Sequence, residues 1–413
     1  MLQVKKRNGS MQNWDPTKIQ RAITLAASRS KENVDVELLL SYAESHASLD
    51  DVLHNGITVD QIHKIVENLL MRNGYLDTAR EYITYRFSHM PDLFRKRNSY
   101  RPYEYPQFIE YIDAIHQSFW THKSFNLDSS VQDIKVNMPK HHSQSVIRSI
   151  LSIASVEAKV KSFWSKLGDR LPKAEFEELG ATIGSNEVYH AHFYAKVLDS
   201  LGLDSKFEEV LHMPAMKARI NYMNKALAGK EGSNKEYLKS LFFFSLFVEN
   251  TSLFSQFLTI SVFNKELNQV SGLAQGISAT AIEETLHSMV GADIINIARK
   301  EHPEWFDAEF ELEVYELTKE CLDAEIAIID WIFEEGELEF LPKHTVVEYI
   351  KSRMNKGLEM CQFKPILEVD TSVISSVEWF DVQTKTTIHR DFFAGHSVNY
   401  NKNSISFSED DLF

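Results

Sequence analysis

Cysteine is nearly absent from this 413-residue chain: Cys321 and Cys361 are the only two, and no CxxC pair occurs. Neither a disulfide framework nor a thiolate zinc site is expected, and the chain offers no thiol pair for dithiol chemistry. A reducing cytoplasm is the expected compartment. Proline (10) and glycine (15) are also scarce, which favours long helices over a many-turned all-β fold. Basic charge is in deficit, with 44 Lys and Arg against 59 Asp and Glu, a net charge of −15. Such a chain repels nucleic acid overall, so no nucleic-acid partner is expected and a phosphate ligand must meet a local basic patch. No charge-free run is long enough to span a bilayer, and no N-terminal apolar stretch resembles a signal peptide, so no membrane association is expected. The richest apolar run, Leu241–Val248, is bounded by Lys239 and Glu249 and reads as a buried core helix.

The length predicts two or three units. In the first 95 residues, Val4–Arg7 and Ser10–Trp14 read as strands, with Asn8-Gly9 as a two-residue hairpin turn. Asp15-Pro16 opens a helix with Ile19, Ala22, Ile23 and Ala26 on its apolar face. Thr58 and Gln61 have capping-box spacing before Ile62, Ile65, Val66 and Leu69, and a last helix is expected over 77–94. This unit is a small hairpin followed by helices. Residues 96–106 read as a linker. Beyond it the chain is mainly α, with long amphipathic helices expected near 108–120, 144–168, 173–202, 215–229, 234–269, 275–301, 307–335 and 343–358. The tail, residues 389–413, is too polar to fold alone.

Glu187-Val-Tyr-His190 and Glu284-Thr-Leu-His287 each place Glu and His at i, i+3, on one helix face, where both side chains reach one metal ion. Glu157 precedes the first pair by 30 residues and Glu249 precedes the second by 35. One Glu from each of two helices and Glu-x-x-His from each of two others is the ligand set of di-iron and di-manganese carboxylate bundles. Four carboxylates neutralise two divalent cations, and the mixed oxygen and nitrogen shell suits iron or manganese. Glu209-Val-Leu-His212 has the same spacing, but Met213-Pro214 ends its helix, so it reads as a chance pair.

At this point residues 107–413 resemble the small, radical-generating subunit of class I ribonucleotide reductase, through Glu187-Val-Tyr-His190-Ala-His-Phe-Tyr194 and Glu283-Glu284-Thr-Leu-His287. The resemblance implies a ferritin-like bundle over 107–388, with Glu157, Glu187, His190, Glu249, Glu284 and His287 as ligands. It implies Tyr194 as the radical tyrosine, with Glu283, Trp120 and Tyr400 on the radical path. The acidic, Phe-ended tail Ser408–Phe413 would dock on the large subunit. Glu157 and Glu283 stand where many members have Asp. The first change makes manganese a serious option beside iron, and leaves open whether Tyr194 or the metals store the oxidising equivalent.

Residues 1–95 resemble the ATP-cone through Val4, Lys6, Arg7, Asn8, Gly9, Lys18-Ile19 and Thr58 to His63. The resemblance implies ATP and dATP as allosteric ligands, with Lys6, Arg7 and Lys18 meeting phosphates and Val4 contacting the base. The implied function is small subunit of a ribonucleoside-diphosphate reductase, acting with a separate large subunit that supplies the thiols. A homodimer is expected, with a larger dATP-induced oligomer such as a tetramer. Two other classes stay in view: another ferritin-like dimetal oxidase, and a non-catalytic metal or nucleotide-responsive scaffold.

Overall fold

Strand β1 (Gln3–Lys5) runs antiparallel to β2 (Met11–Asn13) and parallel to β3 (Ile57–Thr58), in the order β2-β1-β3. The structure is a computed structural model that describes residues 2–5, 11–54, 56–89, 91–97 and 99–384. Lys6, Arg7, Asn8, Gly9, Tyr400 and the tail Ser408–Phe413 lie outside the described residues. The described chain forms two units, Met1–Pro91 and Asp92–Phe413.

The register of the first unit corrects the expected hairpin. Lys5 pairs with Met11 and Val4 with Gln12, so five residues connect the strands. A two-residue turn at Asn8-Gly9 would instead pair Lys5 with Gln12. Because strand side chains alternate, that one-residue slip would turn one strand's buried face outward. Val4 also pairs with the buried Ile57 of β3, a strand not anticipated from sequence, and this third partner holds the register. Helix α1 (Pro16–Ser30) starts as expected, with the Asp15 carboxylate accepting from Thr17 N–H. Helix α2 (Val36–His54) was not anticipated: its buried stripe includes Leu39, Ala43 and Ala47, mostly small residues with little apolar signal. Helix α3 (Val59–Arg72) carries the predicted Thr58–Gln61 capping box, and α4 (Leu76–His89) closes the unit.

The second unit is a helical bundle. Helix α5 (Gln107–Gln117) and the short α6 (Asp128–Gln132) lead to α7 (Lys140–Trp164). The one-turn α8 (Leu167–Arg170) precedes α9 (Ala174–Leu201). After α10 (Asp204–Val210) and α11 (Pro214–Leu227) the chain runs without a break through α12 (Asn234–Phe242), a π-helical segment (Phe243–Ser252) and α13 (Phe254–Leu267). Helices α14 (Ser271–Glu301), α15 (Ala308–Ile332), α16 (Lys343–Met360) and the short α17 (Thr371–Ile374) complete it. The stretch Asn234–Leu267 is long and apolar enough to cross a membrane, yet its most apolar 18-residue window is entirely buried in the bundle. His212 falls in the turn after α10, so Glu209 and His212 do not share a helix.

Helix α7 packs along α9, and α14 packs along the π segment. Two glycines of α14 permit its close approach to the π segment and to α9. A Cβ on Gly291 would stand 2.1 Å from Ser245 Oγ of the π segment, and one on Gly276 would stand 2.1 Å from the Phe193 ring of α9. The connecting residues are drawn onto this bundle as well: Leu93 is fully buried, and the backbone N–H groups of Glu104 and Tyr105 donate to the Glu175 carboxylate at 2.8 and 2.9 Å.

Candidate metal centre and nucleotide cavity

Four helical segments bring the six expected ligands together. Helix α7 contributes Glu157, α9 contributes Glu187 and His190, the π segment contributes Glu249, and α14 contributes Glu284 and His287. All six are at most 1% exposed. They form two clusters of potential ligands, Glu157–Glu187–His190–Glu284 and Glu187–Glu249–Glu284–His287. Glu187 and Glu284 belong to both, the placement required of carboxylates that bridge two ions. His190 Nδ1 lies 3.0 Å from Glu284, 3.5 Å from Glu187 and 3.8 Å from Glu157. His287 Nδ1 lies 3.0 Å from Glu187, 3.6 Å from Glu284 and 3.9 Å from Glu249.

These groups converge at ion-pair distance but without well-formed hydrogen bonds among them. Both oxygens of Glu157, Glu187 and Glu284, Oε2 of Glu249 and Nδ1 of both histidines are buried with no hydrogen-bond partner. Leaving so many buried polar atoms unpaired is strongly unfavourable, and cations placed among them would remove the cost. The donor set therefore fits two divalent metal ions. The electrostatics agree. Burial pushes the Glu157 and Glu249 carboxyls well above their ordinary range. Burial opposes charge on Glu187 too, but the adjoining imidazoles of His190 and His287 outweigh it and hold its pKa at about 2. At His287, burial disfavours the imidazolium, yet contact with Glu187 and Glu284 raises it to about 9. Without metal the cluster balances its charge with protons.

Around the ligands lies a shell that spacing alone did not reveal. Glu283 Oε2 accepts from His190 Nε2–H at 2.7 Å and from Trp120 Nε1–H at 2.8 Å, and Ser118 Oγ donates to Oε1 at 3.3 Å. The bond fixes the His190 tautomer, leaving the Nδ1 lone pair for a metal. The Trp120 and His190 rings are stacked, 5.6 Å between centroids and 15° apart. Trp164 Nε1–H donates to Glu249 Oε1, so only Oε2 of that carboxylate is unpaired. Trp164 sits on α7, 85 residues from Glu249, and no motif marks it. Tyr194 is buried beside the cluster, 3.5 Å from Thr280 Oγ1, and burial, reinforced by Glu157, keeps its phenol protonated.

In the first unit, Val4, Lys18 and His63 line one cavity of about 210 Å³, together with Gln12, Trp14 and Tyr82, which the sequence did not single out for binding. Lys18 Nζ donates to Gln12 Oε1 at 3.5 Å, and His63 Nδ1 meets the Tyr82 hydroxyl at 3.0 Å. Thr58 does not line the cavity; its hydroxyl is engaged with Gln61 in the capping box.

The two units match two known families. Residues 97–373 match the family described as ribonucleotide reductase, small chain, and residues 2–90 match the ATP cone domain. A probable ribonucleoside-diphosphate reductase small subunit of Invertebrate iridescent virus 3 is 21% identical over 332 residues, covering 76% of this chain and 87% of that protein. Among solved structures, the ribonucleotide reductase R2 subunit from Clostridium botulinum aligns with a TM-score of 0.62 at 14% identity, over 70% of this chain and 91% of that one. An R2-like ligand-binding oxidase with a Mn/Fe cofactor aligns with a TM-score of 0.54 at 16% identity, over 62% of this chain and 93% of that one. Both structural likenesses concern the fold.

Proposed function

The chain belongs to the ribonucleotide reductase small-chain family, the small subunits of ribonucleoside-diphosphate reductases, and carries an ATP cone; from this premise we propose that it generates and stores an oxidising equivalent for a separate large subunit. The observation that carries the reading is the pair of buried clusters sharing Glu187 and Glu284, with every carboxylate oxygen but Glu249 Oε1 lacking a hydrogen-bond partner. Two bound ions, manganese or iron, would supply one-electron redox chemistry towards oxygen or a reduced oxygen species. The six ligands named above would hold them.

The protein's own groups would do the rest. Phe163, Trp164 and Phe244 pack as an aromatic cluster against His287, which would help keep water from the site. Tyr194 keeps its phenolic proton until oxidised, so storage there must release a proton. Glu283 links His190 to Trp120 through one oxygen, a continuous route for coupled electron and proton movement away from the ligands. Tyr400, in the tail, would carry the equivalent on to the large subunit. Both cysteines are buried and unpaired, which is consistent with the reducing thiols lying on that partner. In the cone, Lys18 with Lys6 and Arg7 would meet the phosphates of ATP or dATP, while Val4 and Trp14 flank the base. A homodimer that dATP converts to a tetramer is the proposed regulatory form.

Reconstitution tests the proposal. The full chain, loaded with manganese or iron and mixed with a large subunit, should reduce a ribonucleoside diphosphate. Truncation before Tyr400 should abolish turnover while metal content stays at the parent value. Turnover by the chain alone, or full activity after truncation, would reject the division of labour.

A further inference from the structure

The π-helical segment that carries Glu249 is gripped by two buried arginines from outside the metal site. A π-helix spans i→i+5 instead of i→i+4 in its hydrogen bonds and is rare, occurring mostly as single turns at functional sites. Two local side chains already favour the wide turn: Thr251 Oγ1 donates to the Leu246 carbonyl at 3.0 Å and Ser252 Oγ to the Phe247 carbonyl at 2.9 Å, each five residues back. The arginines then take carbonyls at the end of the segment. Arg353 of α16 donates through Nε to the Asn250 carbonyl at 2.5 Å and through Nη2 to Asn250 Oδ1 at 2.6 Å. Arg219 of α11 donates to the Ser252 carbonyl at 3.2 Å.

Each guanidinium is itself anchored. Arg219 pairs with Glu325 of α15 and also reaches the Ser152 carbonyl of α7 at 3.2 Å. Arg353 pairs with Asp381 at 2.8 Å and lies over the Phe254 ring, 3.4 Å from its centroid. Both are nearly or fully buried, Arg219 at 0% and Arg353 at 5% exposed. A buried ion pair contributes little net stability over an apolar replacement, so two of them converging on one backbone segment point to a positional role.

We propose that Arg219 and Arg353 are positioning residues that hold residues 243–252 in the π register and thereby aim Glu249 at the second of the two metal positions. This rests on the dimetal reading above. The consequence is selective, because Glu249 belongs only to the Glu187–Glu249–Glu284–His287 cluster. Relaxation of the segment to α-helix would rotate Glu249 away from that cluster. The Glu157–Glu187–His190–Glu284 cluster draws no ligand from the segment and would keep its geometry.

The test is an anaerobic titration of the metal-free full chain with Mn(II), with free ion read by electron paramagnetic resonance. The parent should bind two ions per chain, and failure of that arm alone would reject the dimetal reading. Arg353→Met should bind the first ion as the parent does and the second at least about tenfold more weakly, the lower end of losses seen when outer-shell partners of a metal site are removed. Arg353→Lys, which keeps the charge and one donor, should recover part of the loss, and it carries the test if Arg353→Met does not fold. Two parent-like affinities in the folded variants, or equal weakening of both, would overturn the proposal.

Discussion

Replacing Glu283 with Gln separates the charge of this carboxylate from its shape. Glu283 Oε2 accepts two bonds, from His190 Nε2–H at 2.7 Å and Trp120 Nε1–H at 2.8 Å, and its side chain is 3% exposed. A Gln amide oxygen in the same place can accept both, while its NH2 group can donate to Ser118 Oγ, which lies 3.3 Å from Oε1. The packing survives and only the charge is lost. Charge-assisted bonds are roughly twice as strong as neutral ones, so each should weaken by about 1 kcal/mol. Two such bonds give about 2 kcal/mol, or about 30-fold in an equilibrium constant, inside the 10- to 100-fold range seen for outer-shell changes at metal sites. The loss should fall on the cluster that contains His190. It is best read in a Glu249→Ala background, where only that cluster is complete and one Mn(II) isotherm reports it. An isotherm identical to that of Glu249→Ala alone would refute the reasoning. So would an equal fall in the His287 cluster of the Glu283→Gln single variant.

Glu249→Ala by itself should remove one of the two bound ions and leave the other at near-parent affinity, as counted by elemental analysis; loss of both would show that the clusters are not separable. Arg7→Ala should abolish the response of activity and mass to dATP without changing metal content, and an unchanged dATP-dependent mass would exclude Arg7 from the nucleotide site. Asp381 has its carboxyl held at about 2 from an ordinary 3.8: burial acts to raise it, but Arg353 and Lys356 more than offset that. A depressed carboxylate contributes stability above its unfolded value and loses it as pH falls through the folded one, so this contribution, roughly 2 kcal/mol, should vanish between about pH 4 and 2. Asp381→Asn should lower the melting temperature at pH 7 and flatten the acid limb of the stability curve; a parent-like pH profile would contradict the assignment.

The ligand positions were legible in the sequence because a helix converts i, i+3 spacing directly into a shared face. Glu187 with His190 and Glu284 with His287 needed no tertiary knowledge, and the apolar run before Glu249 marked that carboxylate as buried. The long helices were equally readable, since few prolines and glycines interrupt their periodicity. Helix α2 escaped because Ala43 and Ala47 give little contrast with the polar face, although both are buried. The hairpin register escaped because Asn8-Gly9 describes only a local turn preference, whereas the pairing of Val4 with both Gln12 and Ile57 is settled by a strand some fifty residues away.

What the sequence alone determined is the chemistry available: four carboxylates and two imidazoles at helical spacing, two cysteines too few and too isolated for thiol redox work, and an acidic chain with a small basic N-terminal segment. Packing decided how that chemistry is arranged. Which carboxylates are shared follows from α9 and α14 facing each other across the site, a relation no spacing contains. The bond from Trp164 to Glu249, the convergence of Trp120 and His190 on Glu283, and the arginines on the π segment join residues 85 to 163 positions apart in most cases. Local propensity sets a helix's faces, but a buried polar group finds its partner only when the bundle closes and water is no longer available to it.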